Sequence, residues 1–506
     1  MQLSLNRSEY RDKVLACWLG KNIGGTVGMP FEWKRQINNI EFYTQDLHGE
    51  PVPNDDLDLQ LLWLLALEQK GPNLNTRILA DYWCLHVTPH WAEYGTAKAN
   101  LRAGLLPPMS GTLNNVYRHS CGAYIRSEIW ACIAPGLPEV AAAYAYEDGI
   151  IDHGNGEGTY GEVFFAALES AAFVLSDLRA LISIGLAYIP ADCAVAKAIR
   201  LVEAAFDKNQ PWRDTRDEVL RAYRGEVPVW HQPASPDDVA KGLGDGQLGF
   251  DVPANVALTV LALLYGANDF GKTVCLAVNC GEDTDCTAAT AGSIYGIIHG
   301  TAAIPQKWIT PIGRSIKTVV VNVGDLWMIP RTVDDLTDRT VAVMDKVLAH
   351  IGGNRLAITD RPTDLSGVSV ENLKPSRGFR LLKEGLNGPI FHFDFYTVVL
   401  NYGQAPLIRS GVPKEIRVLV RSRHITQANL SLRWYLPTGW RASPSEQGAI
   451  FLFPGTEQEI SVTLSADRIT ETSNRAVLEI TIAGLPTVML VPIMLVNGDH
   501  MTALYP

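Results

Sequence analysis

The sequence predicts an all-α domain followed by an all-β, immunoglobulin-like sandwich, and three observations carry that prediction. Up to about residue 350 the apolar residues recur with a helical period in alanine- and leucine-rich runs. Beyond residue 378 the period drops to two. All eight cysteines (17, 84, 121, 132, 193, 275, 280 and 286) lie in the first of these regions, so the halves also differ in composition.

With 506 residues, 47% apolar and 19% charged, the chain can bury at least one large core, which excludes a disordered or collagen-like polymer. A net charge of −11 argues against nucleic acid or an anionic membrane as a partner. Apolar runs such as LQLLWLLALE are too short to cross a bilayer, where roughly 20 residues are needed. The opening MQLSLNRSEYRDK lacks the order of a secretory signal, and no C-x-x-C pair occurs; both point to a cytoplasmic protein with free thiols.

Helical patterns are expected over 57–70, 138–149, 161–177, 192–206, 253–266 and 285–299, punctuated by Gly71-Pro72, Pro107-Pro108 and Asn155-Gly156. Residues 1–351 are therefore read as the helical domain, the polar stretch 352–378 as a linker, and 379–506 as the sandwich. In the last, EIRVLVRS, LSLRWYL, EISVTLSA, AVLEITIA and TVMLVPIMLV alternate between turn residues.

Two segments carry the chemistry. In PNDDLDLQ, Asn54, Asp55 and Asp56 stand immediately before an apolar helix; one acid there is an ordinary cap, but adjacent acids ask for more. In NCGEDTDCTAATAGSIYGIIHG, Asp283 and Asp285 repeat the arrangement. Ala288, Gly292, Gly296 and Gly300 follow at four-residue intervals, a stripe that admits a neighbouring helix closely. If the two helix starts converge, four carboxylates repel one another unless protonated or bridged by a cation, and hard oxygen ligands select Mg²⁺, Ca²⁺ or Mn²⁺.

Four blocks in order make the chain resemble the ADP-ribosylglycohydrolase family: GKNIGGTVGMPFEW (20–33), PNDDLDLQ, CGAYIRSEIWACIAPG (121–136) with IIDHGNGEG (150–158), and AVNCGEDTDCTAATAGSIYGIIHG (277–300) followed by IPQKW (304–308). The resemblance implies an all-α fold around a two-magnesium site, with Mn²⁺ or Ca²⁺ as alternatives, and hydrolysis of a ribosyl N- or O-glycosidic bond. Its substrate would be an ADP-ribosylated protein or a small-molecule adduct. It further implies Asn54, Asp55, Asp56, Asp283 and Asp285 as metal ligands, and Glu32 as the motif glutamate near the scissile bond. His153 matches the histidine that lines the ribose pocket, beside Gly122, Tyr124, Asn155 and Glu157 as substrate contacts. Glu32, Asp55 and Asp285 are the candidates for activating water.

The chain departs from the family's motifs at five places. Glycine stands at 25 where aspartate is usual, Asn54 replaces a hydroxyl residue, Tyr124-Ile125 precede Arg126, and Glu282 and Cys286 replace a glycine and a threonine. A thiol is a poor Mg²⁺ ligand, so Cys286 points to a weakened site, one rebuilt around Thr287, or one shifted toward another metal. The glycines of 152–158 permit close approach to a ligand, and Trp18, Trp33, Tyr124 and Tyr160 either stack on substrate or pack in the core. Arg126 is the one evident phosphate clamp in these motifs. Two alternatives stay open: hydrolysis of a simple furanoside or other glycoside, and a catalytically silent ADP-ribose or sugar binder. LPTGWRASP (436–444) resembles a signature of sandwich modules attached to carbohydrate-active enzymes, and a homo-oligomer is left open.

Overall fold

A computed structural model describes residues 3–224, 234–351, 356–375 and 387–501. The chain forms two compact units, one of residues 1–89 and 117–384, the other of residues 90–116 together with the chain from 385.

The first unit is helical. The elements that matter to the site are α1 (Arg7–Gly28), α2 (Asp55–Lys70), α3 (Glu157–Ala172), α4 (Ala194–Asp207), α5 (Val252–Tyr265), α6 (Thr284–His299) and α7 (Val333–Ile351). The expected helices at 57–70, 161–177, 192–206, 253–266 and 285–299 correspond to α2 to α6, and that at 138–149 to Pro138–Gly149. α1 is not evident in the sequence, because Gly20, Gly24, Gly25 and Gly28 depress helix propensity; tertiary packing overrides it.

That packing is a glycine-to-backbone seam. A Cβ on Gly24 would stand 2.2 Å from the Ala288 carbonyl oxygen, one on Gly20 2.1 Å from that of Gly292, and one on Gly28 2.3 Å from that of Thr284. From the other side, a Cβ on Gly296 would stand 2.2 Å from the Ala16 carbonyl oxygen. The predicted small-residue stripe is therefore real from Ala288 to Gly296, and its partner is the glycine face of α1. Gly300 is not part of it; at φ 75 it ends α6 in a conformation that disfavours a side chain.

A short parallel pair, β1 (Leu3–Asn6) with β2 (Leu356–Thr359), joins the start of the unit to the stretch expected to be a linker. Of that expected linker, 352–355 and 376–378 lie outside the described residues.

The second unit holds two five-stranded sheets. One has the order β3 (Ile390–His392), β4 (Tyr396–Asn401), β6 (Lys414–Ser422), β10 (Glu457–Ala466), β8 (Trp440–Ser443). The other runs β5 (Leu407–Ile408), β12 (Val488–Asn497), β11 (Ser473–Ile482), β7 (Ala428–Tyr435), β9 (Gln447–Leu452). Ile416, Val418 and Val420 of β6 and Leu430, Leu432 and Trp434 of β7 alternate inward, as the period of two requires. The sequence places 90–116 in the helical domain, but Leu105, Met109 and Leu113 are buried in the sandwich core with Tyr402 and Met494. The segment does contain a helix, Ala92–Arg102, just before these residues; what the sequence does not disclose is which core they join.

Candidate metal centre

The seam between α1 and α6 fixes the start of α6, and α2 begins beside it. Asn54 caps α2: its Oδ1 accepts from the Asp56 amide at 2.8 Å, and its Nδ2 donates to Asp285 Oδ2 at 3.4 Å. One amide side chain thus ties the two helix starts together across 231 residues of sequence. Asp283 stands at the mouth of α6, its backbone amide donating to Asn255 Oδ1 of α5 at 3.1 Å.

Glu32, Asp283 and Asp285 bring carboxylate oxygens within 4.8 Å of one another, and Asp56, Asp285 and Cys286 do the same with two oxygens and Sγ. Asp285 is common to both groups. Asp55, half-buried, belongs to neither but lies close enough for its charge to raise Glu32, Asp56 and Asp285.

These groups are buried without enough hydrogen bonds. Asp56, 1% exposed, has no hydrogen-bond partner for either carboxylate oxygen among the described residues, and Asp283 Oδ1 and Asp285 Oδ1 also lack one. Burial, then the charges of Asp285, Asp55 and Asp56, push the Glu32 carboxyl up to about 10. Burial and Asp55 push Asp285 up to about 6, and burial and neighbouring acids push Asp56 and Asp283 well above the usual carboxylate range. Orphaned, mutually repelling buried oxygens are a donor set that fits hard divalent cations.

One balancing charge comes from a residue the sequence reading passed over. Lys21, fully buried on α1, places Nζ 2.8 Å from Glu128 Oε1 and 3.9 Å from Asp56 Oδ2. Burial works against its charge, but Glu128 and Asp56 more than offset this and hold it protonated. Glu128 also accepts from Gln60 Nε2 of α2 at 2.8 Å. The available signal was a single lysine on an otherwise small, uncharged helix face.

The loop carrying Glu32 is tied to α6 by main chain. The Trp33 amide donates to the Glu282 carbonyl at 3.1 Å, and the Leu248 amide to the Trp33 carbonyl at 3.0 Å. Trp33, Leu248 and Glu282 have φ of 65, 62 and 68, a region side chains disfavour. Glu282, where the family has glycine, keeps that conformation while its buried carboxylate pairs with Arg224 and, at 3.5 Å, with Arg35. Trp33 is left half exposed near Phe250, ring centroids 6.5 Å apart.

The middle block is placed differently from its expected role as a ligand loop. Glu157 sits at the start of α3 with its carboxylate accepting from the Ala194 and Val195 amides, both at 3.0 Å, so it caps α4. His153 is fully buried, Nδ1 2.9 Å from Asp152 Oδ1 and Nε2 3.0 Å from Ser120 Oγ. Arg126 is fully buried and bonded to Asp148, Asp152 and the Gly122 carbonyl, which engages the guanidinium expected to clamp a phosphate. A Cβ on Gly158 would meet His153 Cδ2 at 2.1 Å and one on Gly156 the Arg118 carbonyl oxygen at 2.1 Å, so these glycines serve packing. Asn155 is half-buried and accepts from the Tyr146 hydroxyl at 3.4 Å. Tyr124 does reach the centre: fully buried, its hydroxyl has no hydrogen-bond partner among the described residues and lies near Cys121, Cys286 and Asp283. Asp58, the third acid of its motif, instead accepts from the Val319 and Val320 amides at 2.6 and 2.8 Å.

Comparison places the chain in a known family, of whose matched curated relative it spans only a small part. Residues 6–346 match the ADP-ribosylglycohydrolase family, more than half of the chain, and the chain belongs to that family. It is similar to the ADP-ribosylarginine hydrolase Tri1 of Pseudomonas putida (strain GB-1), 33% identical over 52 residues, covering 10% of this chain and 14% of that protein. Among solved structures, the FixG-related protein from Vibrio parahaemolyticus is 12% identical with a TM-score of 0.17, covering 20% of this chain and 94% of that one. The Pseudomonas fluorescens alkylpurine DNA glycosylase AlkC bound to DNA is 13% identical with a TM-score of 0.14, covering 86% and 97%. Scores this low carry no argument. No helix among the described residues is long and apolar enough to cross a membrane.

Proposed function

We propose that the protein is a metal-dependent hydrolase that cleaves the bond between the anomeric carbon of a ribose and a nitrogen or oxygen leaving group in an ADP-ribosyl adduct. The observation that carries this reading is the convergence of Glu32, Asp56, Asp283 and Asp285, from three separate chain segments, with buried oxygens of the three aspartates that lack hydrogen-bond partners among the described residues. Family membership supplies the substrate class.

Asp56, Asp283 and Asp285, with Asp55 and Asn54 beside them, would hold two Mg²⁺ ions or their Mn²⁺ or Ca²⁺ equivalents. Bound cations there would polarise ribose hydroxyls and lower the pKa of a water. Glu32 is the proton carrier: it sits on a loop at the edge of the cluster, half-buried, and its environment already favours the protonated form. As the bond breaks, the leaving nitrogen or oxygen takes the electron pair together with the proton that Glu32 carries; water adds its oxygen to the anomeric carbon, and the proton it loses restores Glu32. The loop bond from Trp33 to Glu282 keeps Glu32 over the start of α6.

The engagement of Arg126 favours a second reading, a plain furanoside or other glycoside, because the pyrophosphate loses its evident clamp. The test is a hydrolysis panel with chelator-treated and Mg²⁺- or Mn²⁺-restored protein, comparing ADP-ribosyl peptides with aryl furanosides and pyranosides. Asp55→Ala is the control. Metal-restored release of ADP-ribose supports the first reading, release of simple sugar alone the second. Saturable binding with no turnover on any substrate overturns both.

A further inference from the structure

The two ligand groups of the centre differ in chemistry. Glu32, Asp283 and Asp285 offer oxygen alone, while Asp56, Asp285 and Cys286 offer two oxygens and a sulfur, all three atoms within 4.8 Å. Neither carboxylate oxygen of Asp56 has a hydrogen-bond partner among the described residues, and Cys286 is 7% exposed, so this second position is buried and short of donors. The hydroxyl next along the helix is already engaged with main chain: Thr287 Oγ1 donates to the Thr284 carbonyl at 3.3 Å. Sulfur is a soft donor that Mg²⁺ accepts poorly and that Co²⁺ and Zn²⁺ accept well.

Resting on the two-cation reading above, we propose that the centre is mixed: the all-oxygen position, held by Asp283 and Asp285 with Glu32 at its edge as the proton carrier, takes a hard cation of the Mg²⁺ class, and the Asp56–Asp285–Cys286 position takes a thiophilic cation of the Zn²⁺ class. The Cys286 thiol gives its proton to solvent as the sulfur–metal bond forms, and Asp285 serves both positions. The same sequence change that departs from the family's motif thus makes the two positions distinguishable to metals.

The test uses the full-length chain, stripped with chelator and titrated with Co²⁺ while the near-ultraviolet thiolate-to-cobalt absorption is followed. The expected result is one equivalent of Co²⁺ that gives the band, displaced by Zn²⁺ but not by excess Mg²⁺. The band disappears in Cys286→Thr, whose affinity for Co²⁺ at that position falls by more than ~100-fold. It persists in Cys121→Ser, which controls for the neighbouring thiol. Co²⁺ binding without the band, or a band that survives Cys286→Thr, overturns the proposal. If it fails in that way while Mg²⁺-loaded protein still releases ADP-ribose, the hydrolase reading stands and the mixed centre alone is lost. If the thiolate band forms in a protein that turns over no glycoside, the reverse holds.

Discussion

The side-chain amide of Asn54 occupies the space that a side chain at position 25 would fill: a Cβ on Gly25 would stand 2.4 Å from Asn54 Nδ2. Two departures from the family's motifs are therefore one change. The glycine on α1 makes room, and the asparagine uses the room to cap α2 and donate to Asp285.

Neighbouring glycines should then answer substitution unequally. Gly24→Ala meets backbone, the Ala288 carbonyl oxygen at 2.2 Å, and must push α1 from α6, with an expected cost of roughly 3 kcal/mol. Gly25→Ala meets only the end of a side chain; the lost cap and the gain in helix propensity each amount to about 1 kcal/mol and offset. Chemical denaturation of both variants measures the contrast, and equal destabilisation would contradict the seam described here.

Asp56→Asn separates function from folding. It removes a buried carboxylate that repels Asp285 and Asp55, so the metal-free protein should melt no lower than the parent, while cation affinity falls by more than roughly 100-fold. Calorimetric titration and thermal melting report the two effects separately. A large drop in metal-free melting would mean that the Lys21 contact, not cation binding, is the reason for the aspartate.

Glu32 and Glu157 should part company in the opposite sense. Glu157→Ala strips two amides of α4 of their acceptor and should cost about 1 kcal/mol with turnover retained. Glu32→Gln should abolish most turnover and leave stability unchanged or raised. Parallel activity assays and melts decide it, and loss of turnover in a well-folded Glu157→Ala protein would restore Glu157 to the site.

The pH dependence has a definite sign. Glu32, raised to about 10, binds its proton in the folded chain where the unfolded chain has released it, so its contribution is complete below the ordinary carboxylate range and is lost as pH rises through about 10. Metal-free protein should therefore lose stability from pH 6.5 to 8, and cation affinity should rise over the same interval, by up to about tenfold per unit for each proton displaced. His119, lowered to about 4 by burial and by Arg118 and His153, acts in the other direction but only below that interval. Melting with and without Mg²⁺ across these pH values is the measurement.

The acids were legible because adjacent carboxylates before apolar helices stand out from ordinary capping, and α2 to α6 because their periodicity is strong. α1 was hidden by glycines whose purpose appears only against Ala288 and Gly292. Loop 152–158 reads like a ligand cradle for the same reason: glycine marks close approach, and the sequence does not say whether a ligand or His153 is what approaches. Lys21 and the capping role of Glu157 depend on partners 107 and 37 residues away, which no local pattern encodes.

Because Leu105, Met109 and Leu113 belong to the sandwich core, the order of synthesis matters. The strands that cover them are translated some hundreds of residues later, a delay on the order of half a minute at ribosomal speed. Throughout it these side chains lack the partners that bury them in the folded protein. A gene shortened after residue 378 would make that wait permanent.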